Sequence, residues 1–299
     1  MCKQAIFPEI PSNTNTAQLW KFVTALRLRL QVGNPHGTGL AAISQDGQNL
    51  GAYRWLNPSQ ALTVPRQVEG RLSKYGRVLQ GGTGDYWHSG ANLLQAPVSA
   101  LMLHTRYATS GKGLAETHPH LDDPDASKAN VCLVHNGVIR SSEYQPMART
   151  ECDSELLVIG YLMADVVADF NKLNEALDEI SGYYAFGAFV RQEQGWAVDI
   201  VKDSRASLSA CYVPNLDLVC FVTDPDDVRN TCKSLRFKAP EVSTMKDNVA
   251  IRCMPKGEIL SQKLEQSGMA DYGSYLGESA EVQRALAGGY QLLTEDKRG

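Results

Sequence analysis

A cysteine stands at position 2, directly behind Met1. Cysteine is small enough to permit removal of an initiator methionine. After that removal the Cys2 thiol has a base of its own, the α-amino group, whose ordinary pKa is roughly 7.7–8.0. A thiol activated in this way attacks carbonyl carbon, and the attack needs donors for the oxyanion that develops. "NG" after an apolar run can offer them, as the Asn136 side-chain amide and the Gly137 backbone N–H. An amino-acid substrate also needs a cation for its carboxylate and an anion for its ammonium. Arg106 brings a bidentate fork and Asp153 a negative charge.

Each of these residues has an everyday reading as well. Asn-Gly marks hairpin turns. Arg106 suits an ion pair, Asp153 suits the N-cap of a following helix, and Cys2 suits an exposed thiol on a frayed terminus. Their joint order sets them apart. "HTRYATSG" (104–111), "THPH" (117–120), "VHNG" (134–137) and "ECDSE" (151–155) all place polar residues at or near the ends of apolar runs. Such ends are where a rigid scaffold presents functional groups. A metal-dependent hydrolase is the competing chemistry, because "HPHLDD" (118–123) holds two histidines and two carboxylates, with His104 and His135 elsewhere. Pro119 works against a helical ligand pair there, and no H-E-x-x-H occurs. The cysteine chemistry needs neither metal nor cofactor, and none is expected.

The elements that must position these groups are short and apolar. Helical spacing over Ala17–Val32 puts Leu19, Phe22, Val23, Leu26 and Leu30 on one face, with Thr16 as the expected cap and Gly33 as the stop. Gly37–Ser44 and Leu50–Leu56 read as strands joined by the turn "QDGQ". Val98–Tyr107 is a strand, and Val131–His135 is another, cut short by the Asn-Gly pair. Ser154–Phe170 reads as one long helix and Leu173–Ile180 as a shorter one. Tyr183–Val190, Trp196–Lys202, Ser209–Val213 and Leu218–Val222 then form a run of short apolar segments separated by turns. That is an antiparallel meander, not a series of β-α units. Asp224–Leu235 is a further helix with Pro225 in its first turn, and Val242–Leu260 holds a last hairpin. The expected class is α+β. Residues 57–90 read as a loop-rich insertion or lid, and the chain from Glu265 as a polar tail.

The 299 residues carry a net charge of -4, with 43% hydrophobic and 21% charged residues. That balance gives no electrostatic footprint for nucleic acid. No apolar stretch reaches the roughly 18 residues of a membrane span, and Pro8 and Pro11 stand where a signal peptide needs an apolar run. The seven cysteines are widely spaced with no C-x-x-C pair, which argues against a disulfide framework or a structural zinc motif. The reading is a cytoplasmic protein.

The ordered set resembles the class II glutamine amidotransferase family. Its motifs appear here as Met1-Cys2, "GTGLAA" (37–42), His104-Thr105-Arg106-Tyr107-Ala108-Thr109-Ser110-Gly111, His118-Pro119-His120, His135-Asn136-Gly137 and Asp153-Ser154-Glu155. "NPHGTGLAAISQDG" (34–47) is similar to the stand-alone, single-domain members, and the likeness covers about residues 2–225. The resemblance implies a four-layer αββα sandwich of two antiparallel sheets, the N-terminal nucleophile hydrolase fold. It implies Cys2 as nucleophile, Asn136 and Gly137 as oxyanion hole, and Arg106 and Asp153 as binders of the α-carboxylate and α-ammonium of glutamine. Tyr107, Thr109 and His120 would line the substrate pocket. The reaction implied is hydrolysis of the side-chain amide through a γ-glutamyl thioester. An amidotransferase domain over 2–260 with a C-terminal extension over 261–299 leaves little room for a synthase domain, and no nucleotide-binding loop is present. Ammonia would then pass to a separate synthase chain, with residues 57–90 and the tail as docking candidates. Hydrolysis of another γ-glutamyl amide and a silent glutamine-binding scaffold are the alternatives. The sequence departs from the family at Lys3, where most members carry glycine; proximity of that ammonium would lower the Cys2 pKa.

Overall fold

The computed structural model describes residues 2–62, 86–108, 113–255 and 257–265. In chain order, β1 (Lys3–Phe7) leads to α1 (Thr16–Leu30), then to β2 (Thr38–Ser44), β3 (Leu50–Trp55), β4 (Tyr86–Gly90) and β5 (Val98–Thr105). The short β6 (His120–Leu121) and the long β7 (Val131–Ser142) precede α2 (Glu155–Met163) and α3 (Leu173–Asp178). Next come β8 (Ile180–Gln192), β9 (Gly195–Lys202), β10 (Ser209–Val213) and β11 (Leu218–Val222). The chain continues through α4 (Pro225–Leu235), β12 (Glu241–Thr244), β13 (Val249–Cys253) and β14 (Ile259–Lys263).

The strands form two antiparallel sheets. One has eight strands in the order β12-β10-β11-β1-β5-β2-β3-β4, and the other has six in the order β14-β13-β9-β8-β7-β6. Alternation along β1 shows how the layers stack. Ala5 and Phe7 pack into a cluster with Phe22, Val23 and Leu26 of α1 and with Val228 and Cys232 of α4. Ile6 faces the other way, into a cluster shared with Val134, Ala185 and Phe189 of the second sheet. Leu156, Leu157 and Tyr161 of α2 and Leu173 of α3 cover the far face of that second sheet. The result is the four-layer αββα sandwich expected. The three apolar interfaces drive it, since burying each large apolar side chain contributes roughly 1.5–3 kcal/mol.

The two sheets meet closely behind the candidate site. A Cβ at Gly187 would stand 2.7 Å from Ile6 Cδ1 and 3.1 Å from Met102 Sδ. Two polar ties cross the same interface. Gln4 Nε2 donates to the Ala185 carbonyl at 3.0 Å, and His104 Nε2 to the His135 carbonyl at 2.9 Å.

Several expectations need correction. β7 runs straight through Asn136-Gly137, with Asn136 opposite Ala185 and Gly137 opposite Tyr184, so the pair is neither a hairpin turn nor a strand end. The long helix expected over 154–170 stops at Met163. Asp165 takes the left-handed φ of 59°, and Val166 N–H closes the turn on the Tyr161 carbonyl at 2.9 Å. The cap of α1 is Asn15, whose Oδ1 accepts from Gln18 N–H at 3.0 Å, one residue before the Thr16 expected. Of the insertion over 57–90, residues 86–90 form β4 at the edge of the larger sheet. Residues 63–85 and 266–299 lie outside the described residues. No described helix is long and apolar enough to cross a membrane.

Candidate functional site

β1 and β5 pair with Lys3 opposite Thr105, so one further step brings Cys2 opposite Arg106. The contacts agree. Tyr107 N–H donates to Cys2 Sγ at 3.4 Å, and the thiol reaches the Tyr107 carbonyl at 3.6 Å. Burial pushes the Cys2 thiol above the ordinary cysteine range. The Tyr107 N–H and the Arg106 charge oppose that shift, and the Asp153 charge adds to it. Arg106 and Asp153 therefore both lie within electrostatic reach of the thiol, although 47 positions separate them in the sequence.

The segment beside Cys2 is held by a residue that the sequence reading passed over. Nδ1 of His36 accepts from Ala108 N–H at 2.9 Å, and its ring meets Tyr107 edge-on at 5.4 Å. The neighbouring backbone adds Arg106 N–H to the Gly37 carbonyl at 2.8 Å. His36 lies within the "NPHG" stretch, so its position was visible in the sequence but its partner was not. Arg106 is buried, whereas the Tyr107 side chain is 45% exposed. Thr109 lies outside the described residues.

Asn136 is buried, and its Oδ1 has no hydrogen-bond partner. Ala185, which pairs with Asn136, accepts the hydrogen bond from Gln4, two residues from Cys2. The smaller neighbour, Gly137, is required by close approach: a Cβ there would lie 2.1 Å from the Tyr183 carbonyl oxygen and 2.5 Å from His135 Nε2. Asp153 is not a helix cap. Its Oδ2 accepts from Ile139 N–H at 2.7 Å, which fixes the carboxylate against β7 two residues beyond Gly137. Ser154 next to it is hydrogen-bonded through Oγ to His135 Nδ1 at 2.8 Å.

Glu155 holds this loop in place. Its Oε2 accepts from Arg149 N–H at 2.9 Å, Thr150 N–H at 2.8 Å and the Thr150 hydroxyl at 2.9 Å, while Oε1 takes Arg149 Nε at 2.6 Å. Burial works against the charge, but Arg149 and Thr150 outweigh it and hold the carboxyl below its ordinary pKa. A folded pKa below the unfolded one stabilises the fold above the unfolded value, and that contribution is lost as pH falls through the folded one. Glu155→Gln should lower unfolding stability by about 2 kcal/mol at neutral pH, since it removes hydrogen bonds to a charged acceptor. The loss should shrink in acid, as pH falls past the ordinary glutamate value of roughly 4.3 and through the lowered folded one. Urea titrations of both proteins at neutral and acid pH check this. Equal stability at neutral pH would remove Glu155 as the organiser of the loop.

His120 lies in β6 opposite Leu133 of β7. It belongs to a buried row of imidazoles: His104 and His118 are 3.8 Å apart between ring centroids, and His118 and His120 are 4.8 Å apart. Burial keeps all three neutral. It lowers His104 to about 3 and takes His118 and His120 well below the ordinary range, with the neighbouring imidazoles and Arg106 adding to it. His120 is thus held in this row, where it feels the Arg106 charge.

Lys3 turns away from the thiol. Its Nζ lies 2.7 Å from Asp227 Oδ2 in the first turn of α4 and 3.4 Å from Oδ2 of Asp224, the N-cap of that helix. Burial opposes the charge there, and the two carboxylates outweigh it and raise the Lys3 pKa. A cavity of about 630 Å³ borders Cys2 on this flank, lined also by Lys3, Lys202, Arg205, Thr223 and Asp224. Arg106, Asn136 and Asp153 do not line it.

No protein-family model matches the chain. Among curated relatives, the glutamine–fructose-6-phosphate aminotransferases (isomerizing) of Bordetella pertussis and Bordetella parapertussis are each 29% identical over 106 residues. Those matches take in 30% of this chain and only 16% of the relatives' length. Solved structures are similar over far more of it. The glutamine phosphoribosylpyrophosphate amidotransferase from B. subtilis, complexed with ADP and GMP, superimposes on 89% of the chain with a TM-score of 0.54 at 14% identity. A structure described as the allosteric regulatory enzyme of purine biosynthesis does so with a TM-score of 0.55 at 15% identity. The chain carries the N-terminal nucleophile hydrolase fold. It is distantly similar to class II glutamine amidotransferase domains, and it spans half the length of the two solved chains. Within that fold, Cys2 sits at the start of the central strand β1, where β5 flanks it on one side and β11 on the other.

Proposed function

We propose that this protein is a glutaminase of the class II amidotransferase kind, with Cys2 as its nucleophile once Met1 is removed. The observation that carries the reading is convergence. Two sheets and the loop before α2 bring a buried guanidinium and an anchored carboxylate within electrostatic reach of one thiol. Arg106 takes the α-carboxylate of glutamine and Asp153 its α-ammonium. Attack by Sγ on the side-chain carbonyl forms a tetrahedral oxyanion, which Asn136 Nδ2 and Gly137 N–H stabilise. Collapse expels ammonia, which takes the proton that the α-amine removed from the thiol. Water then cleaves the γ-glutamyl thioester and releases glutamate. Tyr107 and Thr109 border the substrate, and His120 supports Arg106 from behind. Ammonia passes to an acceptor bound to a separate synthase chain.

The glutamine analogue 6-diazo-5-oxo-norleucine tests the reading. Intact mass should show loss of Met1 and one adduct on the wild type, and no adduct on Cys2→Ala. Retained Met1 with no adduct would overturn it. Excess glutamine should slow the labelling, which ties the adduct to the glutamine site and not to general thiol reactivity.

A further inference from the structure

Behind the candidate site, three donors that take no part in the bond-making steps of the proposed reaction come together. A ring nitrogen of His118, a ring nitrogen of His120 and Sγ of Cys152 lie within 4.8 Å of one another, and all three residues are buried. Neither nitrogen of His118 has a hydrogen-bond partner, nor does Nε2 of His120. The Cys152 thiol takes hydrogen bonds from Ser154 and makes a long contact, 4.0 Å, to Asp153 Oδ1. Buried polar side chains are ordinarily paired, and unpartnered imidazole nitrogens beside a thiol point to a ligand that accepts their lone pairs.

We propose that His118, His120 and Cys152 bind a zinc ion. Two imidazoles and one thiolate are a donor set suited to borderline-soft Zn²⁺. Bonds of roughly 2.0–2.3 Å place the donors of a tetrahedral zinc roughly 3.3–3.8 Å apart, so small side-chain rotations close the set from its present spread. His104 is already oriented as a neighbour of such a site. Its Nε2–H donates to the His135 carbonyl, which leaves Nδ1 as an unprotonated, unpartnered nitrogen on a ring that lies tilted against His118 at 3.8 Å between centroids. The fourth position falls to this nitrogen or to water. Charge is accommodated as well. Arg54 stands nearby, donating to the Pro119 carbonyl at 2.6 Å and 2.9 Å. The carboxylates of Asp153 and Glu155 offset the added positive charge.

The sequence reading expected no metal ligands, and spacing could not have supplied this set. His118 and His120 are 32 or more positions from Cys152 in the chain. They meet because β6 pairs with β7 and the Glu155 network folds the 149–153 loop back against it; Arg149 Nη2 donates to the Leu121 carbonyl at 2.8 Å. A zinc ion here would clamp β6 to the residue adjoining Asp153. It would act as a positioning element, independently of whether the chain hydrolyses glutamine.

Cobalt substitution tests the site on the full chain carrying Cys2→Ala, which removes the one described thiol that is not buried. After dialysis against a chelator, this protein should take up one Co²⁺ per chain with a thiolate-to-cobalt charge-transfer band, and Zn²⁺ should displace it. Cys152→Ser on the same background should lose the band, and Zn²⁺ should then no longer raise the melting temperature. Absence of stoichiometric uptake, or a band unchanged by Cys152→Ser, would overturn the proposal. If Cys152→Ser does not fold, X-ray absorption on the zinc-loaded parent decides instead. One sulfur with two or three imidazole nitrogens supports the site, and a sulfur-free shell refutes it.

Discussion

Cys2→Ala should abolish glutamine hydrolysis, with kcat falling by roughly 10⁴-fold or more, as expected for loss of a covalent nucleophile. Glutamine should still bind, because Arg106 and Asp153 are untouched and neither depends on the thiol for its position. Arg106 is held through its backbone by Gly37, and Asp153 by Ile139 N–H. Asn136→Ala should cost less, on the order of 10²–10³-fold in kcat with little change in KM, because its contact forms only as the oxyanion develops. The pH profile follows from the direction of the thiol's shift. Burial raises the Cys2 pKa, so the thiol is protonated at neutral pH and needs a base. The activity should rise as the α-amine deprotonates, around its ordinary pKa of roughly 7.7–8.0. A chain in which an uncleavable residue precedes Cys2 should have lost that limb together with its activity. Ammonia release followed at several pH values, with isothermal titration of glutamine into Cys2→Ala, makes the measurement. Turnover that persists in Cys2→Ala would sink the mechanism.

Much of this arrangement is legible in the sequence where local rules and tertiary demands agree. β10 and β11 match the apolar runs 209–213 and 218–222 end to end, because the turn between them closes locally, with Leu216 N–H on the Val213 carbonyl at 3.0 Å. Helix α4 was legible from Asp224-Pro225, and Asp224 Oδ1 caps it, accepting from Asp226 N–H at 3.0 Å. β1 was not legible: five residues with no hairpin partner pair only with β5 and β11, about a hundred and two hundred positions away. Asn136-Gly137 misled for the opposite reason. Its local turn preference is real, but β8 holds it straight from both sides of the pair, and the glycine serves close approach to Tyr183. The same logic divides the site. Cys2, Arg106, Asn136 and Asp153 announce themselves by type and order. His36, Glu155 and Cys152 act through partners that only the folded chain brings near.

The scaffold beneath the site rests on one buried ion pair, and breaking it should be costly. Arg252 of β13 donates through Nε to Asp199 Oδ1 at 2.7 Å and through Nη2 to Oδ2 at 2.8 Å, and both residues are buried. Tyr161 of α2 adds its hydroxyl to Asp199 Oδ2 at 3.0 Å, and Arg252 Nη2 reaches the Val166 carbonyl at 3.0 Å. Burial disfavours the guanidinium's charge, but Asp199 outweighs that and raises the Arg252 pKa. The pair thus ties β9 and β13 to α2 and to the turn that ends it. Asp199→Leu should lower stability by about 3–5 kcal/mol, because it leaves a buried cation without its anion. Arg252→Met should cost a similar amount by stranding the carboxylate. The double variant should recover most of the loss, since desolvation of both charges then disappears and apolar volume replaces them. Urea unfolding of the four proteins closes the cycle. Additive losses in the double variant would show that the two residues act separately and that α2 is held to the sheet by its apolar face alone.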